Sequence, residues 1–225
     1  MTIGIKAIIF DLDGTIVNSH IVQWQAFNEY LQQFKVEISW ISWTTDHLGK
    51  KSEEIWRRVC SEHNISIDVE KAQKERRLIY QNLVREGKLR EISGFTPFFT
   101  KLKKIFPSTI PIVIASNAHP SGIEASLKAI NYSGRIKYYS SEAYPSISSK
   151  YDLLQLVAKD LQVSTKSCLI FEDSPHGAAA GKRNGSTVII INSSNLPREC
   201  FNTPLIVDGY TDPNLLSYVQ QLSEK

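Results

Sequence analysis

A chain of 225 residues, 42% hydrophobic and 22% charged, has the make-up of a globular protein able to bury a large core, as one domain or with a smaller one inserted. A net charge of +3 argues against a nucleic-acid partner and is compatible with an anionic substrate. No apolar run reaches the roughly 18 residues of a membrane helix, no signal-peptide pattern is present, and Cys60, Cys168 and Cys200 lack metal-type spacing. The expectation is therefore a soluble cytoplasmic protein with reduced thiols and no membrane partner.

The first informative stretch is Lys6 to Thr15. Its apolar, partly β-branched start suits a strand buried on both faces, and it runs into Asp11, Asp13, Gly14 and Thr15. In open α/β sheets ligands lie beyond the carboxyl ends of the strands, where these carboxylates would meet a substrate or a hard cation. From His20 to Phe34 the apolar residues recur at helical spacing, with Ser19 as a cap. The segment from Val36 to about Leu89 is rich in Lys, Arg, Glu and Trp, and helices are expected over 52–63 and 69–86. With no strand signal in it, this block reads as a helical insertion after the first strand.

From Gly94 onward helices and strands alternate. Helices are expected over 95–106, 120–130, 150–161 and 213–222, and strands over 111–115, 136–139, 167–171, 187–191 and 205–207. Ser174-Pro175 opens a further helix, with Ser as cap and Pro at the first position, and Gly177 to Gly181 gives that helix a small face. The fold class implied is α/β, a doubly wound parallel sheet of Rossmann type with a small α-helical domain inserted after strand 1. Residues 1–17 and 91–225 make the core, and 18–90 the inserted cap.

Four features then fall at strand ends or helix starts: Asp11 with Asp13, Ser116 with Asn117, Lys150, and Glu172 with Asp173. If the strands are neighbours these converge on one sheet edge, with acids to hold a metal, donors to hold an oxyanion and a lysine to offset charge. Phosphoryl transfer needs that equipment, because its catalysis is mostly positioning and neutralisation. Taken singly, each feature also has an ordinary structural meaning: an Asp-Gly turn, a Ser-Asn helix cap, a solvated lysine, an acidic helix start. His176, in the first turn of its helix, reads as a surface residue.

Together, DLDGT at 11–15, Ser116-Asn117, Lys150 and FEDSPHG at 171–177 resemble in order the four motifs of the haloacid dehalogenase-like (HAD) hydrolases, a family dominated by phosphatases. The resemblance covers nearly all of the chain outside the insertion, which itself looks like the helical cap of the family's first subclass. It implies Asp11 as nucleophile and Asp13 as general acid and then base. It implies Mg²⁺ held by Asp11, the backbone carbonyl of Asp13 and Asp173, with Glu172 close by or a direct ligand. Ser116 and the amide of Asn117 would bind the phosphoryl group, Lys150 would steady Asp11, and Gly14 and Thr15 would shape the loop. Leu48 to Ser52 resembles the cap's specificity loop, where Lys50 or Lys51 could meet an anion or simply face solvent.

Asp13 favours phosphate chemistry, since the dehalogenases lack a carboxylate two residues after the nucleophile. The chain departs from many relatives at Asn18, where an acid is common, and at Gln23, where the mutases of the β-phosphoglucomutase type carry histidine, although His20 lies close by. The function implied is Mg²⁺-dependent hydrolysis of a small phosphorylated metabolite, with a slight preference for a monomer. The alternatives are a phosphomutase and a non-catalytic binding protein.

Overall fold

A computed structural model of the protein describes residues 4–224. In chain order its elements are β1 (Ala7–Phe10), α1 (His20–Leu31), α2 (Trp40–Ser42), α3 (Ser52–His63), α4 (Val69–Arg85), α5 (Phe95–Ile105), β2 (Ile112–Ser116) and α6 (Pro120–Ala129). There follow β3 (Lys137–Ser140), α7 (Lys150–Asp160), β4 (Cys168–Glu172), α8 (Pro175–Arg183), β5 (Thr187–Ile191), β6 (Leu205–Val207) and α9 (Pro213–Ser223). The six strands form one parallel sheet in the order β3-β2-β1-β4-β5-β6. The expected α/β fold is the one observed, and the strand order reverses at β1.

β1 is central, with Phe10 opposite Ile114 on one side and Phe171 on the other. Its residues alternate between two cores, which explains the absence of polar alternation in the sequence. Ile8 and Phe10 join the layer under α5, α6 and α9, where Phe10 stacks on Phe171 at 4.4 Å. Ala7 and Ile9 join the opposite layer with Leu153, Val157 and Ala178 of α7 and α8. The small face of α8 lets it lie against the sheet: a Cβ at Gly181 would sit 2.6 Å from Val188 Cγ2.

A third apolar cluster lies in the helical segment, where Phe27, Tyr30, Trp43, Trp56 and Val59 pack together. Trp56 is fully buried against Phe27, with ring centroids 4.6 Å apart. Tyr80, Leu83 and Val84 of α4 instead join the sheet's core, tying this segment to the rest.

Several local expectations are corrected. β2, β3 and β4 each begin and end one residue later than the apolar runs suggested, so Ser116 and Glu172 are strand residues. Ser19 precedes α1 without capping it, since its hydroxyl donates to Asp13 instead. Residues 40–47, in which no helix was expected, form the turn α2 and then a turn of π-helix over Trp43–His47. There the Thr44 and Thr45 hydroxyls donate to the carbonyls of Trp40 and Ile41, and such back-bonding loosens the regular ladder. Among the described residues no helix is long and apolar enough to cross a membrane, and Cys60, Cys168 and Cys200 are unpaired.

Candidate active site

The sheet edge beyond β1, β2 and β4 collects the acids. Asp11 continues the line of β1, its N–H donating to the Phe171 carbonyl at 2.9 Å, and is 8% exposed. Gly14 then turns the chain at φ +73°, a left-handed conformation that glycine adopts without strain. A Cβ there would lie 2.0 Å from His20 Nε2 and 2.3 Å from Asp173 Oδ2, so only glycine fits. The turn brings Asp13 back over the edge, where its carboxylate accepts from Ser19 Oγ at 2.5 Å, Ser116 Oγ at 3.4 Å and Gln23 Nε2 at 3.5 Å.

Lys150 reaches this edge because α7 begins at it. Ser149 and Asp152 form a reciprocal capping box, which fixes the helix start and therefore the lysine's direction. Its ammonium donates to Asp11 Oδ1 and to the Ala115 carbonyl at 2.7 Å, and lies 3.2 Å from Glu172 Oε1. The other oxygen of Glu172 accepts from the Asp173 N–H, the Ser174 N–H and the Ser174 hydroxyl, each at 2.9 Å. Glu172 is thus committed on both sides to Lys150 and to its own loop. Asp173 faces the cavity, with Oδ2 2.7 Å from His20 Nε2.

Burial pushes the Asp11 carboxyl well above the usual range, and Glu172, Asp173 and Asp13 add to that while Lys150 opposes it. Burial likewise raises Asp173, against the pull of His20, to about 6. Glu172 is held below its ordinary value: burial works against its charge, but Lys150 and the Ser174 bonds outweigh it. Lys150 is disfavoured by burial yet raised overall by Asp11 and Glu172. The edge carries more buried negative charge than one lysine neutralises, and a hard divalent cation suits such a place. Among the described residues no three His, Cys, Asp or Glu side chains form a closed ion cage. Mg²⁺ does not need one, since it keeps several waters and is commonly bound through one or two carboxylates and a substrate phosphate. Asp11 and Asp173, with a main-chain carbonyl, fit that donor set.

The helical segment closes a cavity over this edge. Of the residues expected to serve the site, Asp11, Asp13, Ser116, Asn117, Lys150, Glu172, Asp173 and Lys50 line it. Asn117 spans it, its side chain donating to the Gly49 carbonyl at 3.4 Å. Thr15 and Lys51 are not among the lining residues. Thr15 is fully buried beneath the loop, and Lys51 donates to the Ile147 carbonyl at 2.6 Å. His176 sits exposed at the rim.

His20, His47 and Arg76 line the cavity without having been singled out as site residues; Gln23, noted only as a departure from the mutases, lines it too. Periodicity places a residue on a helix face and does not say which cavity that face closes. Arg76, isolated at a buried position of α4, was the one readable signal.

A carboxylate flanked by a buried lysine, with a second acid two residues on and further carboxylates beside it, is suited to phosphoryl transfer. Residues 8–191 match the model of the haloacid dehalogenase-like hydrolases, and the chain belongs to that family. Among curated relatives, the 6-phosphogluconate phosphatase of Escherichia coli (strain K12) is 24% identical over 193 residues, covering 82% of this chain and 81% of the relative. Among solved structures, a β-phosphoglucomutase from Clostridium difficile superposes with a TM-score of 0.80 at 20% identity, covering 98% of this chain and 97% of that one. A mutant CbbY from Rhodobacter sphaeroides, in complex with xylulose-(1,5)bisphosphate, gives a TM-score of 0.78 at 18% identity, covering 92% and 96%. These similarities agree with the sheet described above.

Proposed function

We propose that the protein is a Mg²⁺-dependent phosphatase of small phosphorylated metabolites, working through an aspartyl-phosphate on Asp11. The observation that carries this reading is the buried Lys150, whose ammonium bridges Asp11 and Glu172 while Asp13 stands across the same edge. An Asp11 oxygen attacks phosphorus in line, and the ester P–O bond breaks as Asp13 gives its proton to the leaving oxygen. Water then attacks the aspartyl-phosphate, Asp13 takes the water's proton, and phosphate leaves with Asp11 restored.

Ser116 and the Asn117 amide hold the phosphoryl oxygens in this scheme, and Lys150 offsets their charge. Asp11, the Asp13 carbonyl and Asp173 would hold Mg²⁺, which supplies further charge neutralisation at the phosphoryl group. Glu172, with both oxygens engaged, positions Lys150 and the Asp173 loop. Residues 18–90 act as a cap that excludes water over a core of 1–17 and 91–225.

A phosphomutase is the second reading. Gln23 stands where the mutases carry histidine, and that departure counts against it, although the residue still links Asp13 to Arg76. The names of the relatives, which include a phosphogluconate phosphatase and a β-phosphoglucomutase, are consistent with either. Release of inorganic phosphate from a panel of small esters, with Mg²⁺ and then EDTA, is the test. Mg²⁺-dependent release is expected. Isomerisation of a sugar phosphate primed by a bisphosphate, without net release, would replace the phosphatase by the mutase.

A further inference from the structure

The roof of the cavity carries a cation that no acid answers. Arg76, on α4, is only 6% exposed. One guanidinium nitrogen donates to Gln23 Oε1 at 2.5 Å and another to Ser52 Oγ at 3.4 Å, and the group lies 4.9 Å from the centre of the Phe27 ring. Its Nε has no partner, and among the described residues Arg76 makes no ion pair. Glu142, the acid that most favours its charge, is itself paired with Arg77 at 3.3 Å. Asp13 also favours the charge on Arg76, less than Glu142 does. Burial lowers its pKa to about 10, so the group stays positive at neutral pH.

A buried charge held only by neutral partners is unfavourable unless something charged completes it. Nearby, His47 is 1% exposed, lines the same cavity and has both ring nitrogens unpartnered. Position then separates the two buried cations. Lys150 touches Asp11, on the side of the nucleophile and the phosphoryl group. Arg76 connects through Gln23 to Asp13, the group proposed to protonate the leaving oxygen. Arg76 therefore stands on the leaving-group side.

We propose that Arg76 receives an anionic group on the alcohol part of the substrate, so that the preferred substrates are phosphate monoesters bearing a second anion, a carboxylate or another phosphate. The proposal rests on the phosphatase reading and names its substrate class. Held in place by neutral acceptors, the guanidinium is preorganised for the bidentate grip that carboxylate and phosphate share.

Two matched sets of esters test it through kcat/KM. One is ethyl phosphate, phosphoglycolate and ethylene glycol bisphosphate; the other is glucitol 6-phosphate, 6-phosphogluconate and glucitol 1,6-bisphosphate. In at least one set an anionic member is expected to exceed the neutral one by at least about tenfold, the size of a single charge-assisted contact. Which member wins identifies carboxylate or phosphate. Arg76→Gln is expected to shrink that ratio below about threefold, while Arg76→Lys keeps part of it.

Equal use of neutral and anionic members in both sets overturns the proposal, as does an Arg76→Gln variant that lowers both alike. Should Arg76→Gln lose its native circular dichroism, the wild-type ratio and Arg76→Lys decide. Should the wild type hydrolyse none of the six, nor p-nitrophenyl phosphate, the phosphatase reading fails on its own. The change in tryptophan fluorescence caused by 6-phosphogluconate against glucitol 6-phosphate then judges Arg76: tighter anion binding lost in Arg76→Gln supports it, and equal or no binding overturns it.

Discussion

The two sides of the cavity solve the problem of buried charge differently. On the sheet side, Lys150 answers Asp11 and Glu172, and His20 answers Asp173. On the helical side, Arg76 is met only by an amide, a hydroxyl and an aromatic face, and His47 by nothing polar. Such a difference separates two tasks. In the proposed reading the sheet side, with the excess of acid that suits a divalent cation, fixes the reaction, whereas the helical side leaves donors for a substrate to complete and so selects among substrates.

The sharpest way to break this division is Asp11→Asn. It keeps the shape of the edge and removes the nucleophile, so kcat should fall by about 10⁴-fold or more with circular dichroism unchanged. Full activity in that variant would show that the sheet side does not fix the reaction. Lys150→Ala comes next. Leaving Asp11 and Glu172 buried without their shared cation should cost about 3–5 kcal/mol in urea unfolding, together with most of the turnover.

Trp56→Ala tests the helical side as a structure. Its indole is wholly buried in the cluster with Phe27 and Tyr30, so removal should also cost about 3–5 kcal/mol, while leaving the chemistry of the sheet edge in place.

How each side was legible in the sequence follows the same line. The places of Asp11, Asp13, Lys150 and Asp173 could be read because each is fixed by local rules, namely the end of an apolar strand, a glycine turn and a helix start, while their roles came from the resemblance of the four motifs together. The convergence of these residues then followed from one topological fact, that β1 lies between β2 and β4. His47 could not be read in that way, and for Arg76 the sequence offers only its place on the buried face of α4. Which cavity that face closes depends on how α1, α3 and α4 and the turns at 40–47 pack on one another. Lys51 shows the limit most plainly: it adjoins Lys50 in sequence, yet only Lys50 lines the cavity.

Two smaller effects sharpen the comparison. Mg²⁺ should raise the melting temperature and EDTA should reverse it, with an effect that depends on pH. Asp173, raised to about 6, and Asp11, also raised, take up protons as the pH falls, so a cation must displace them. The shift should therefore be largest near pH 7.5 and shrink toward pH 5; the opposite trend would remove these carboxylates from the metal site. Least of all, Lys50→Ala should raise KM several-fold, whereas Lys51→Ala should change stability by about 1 kcal/mol or less, as expected for one half-exposed bond, and KM little. Reversal of the two would mean that the loop turns over when substrate is bound.

The position of β1 also has a consequence in time. The strand made first pairs only with strands that begin at Ile112 and Cys168. At roughly 5–20 residues per second on the ribosome, its four apolar residues wait on the order of ten to thirty seconds for their second neighbour. Meanwhile the helices of 20–85, whose contacts are more local, are already complete. The segment that later covers the site is therefore synthesised before β1 has either of its neighbours.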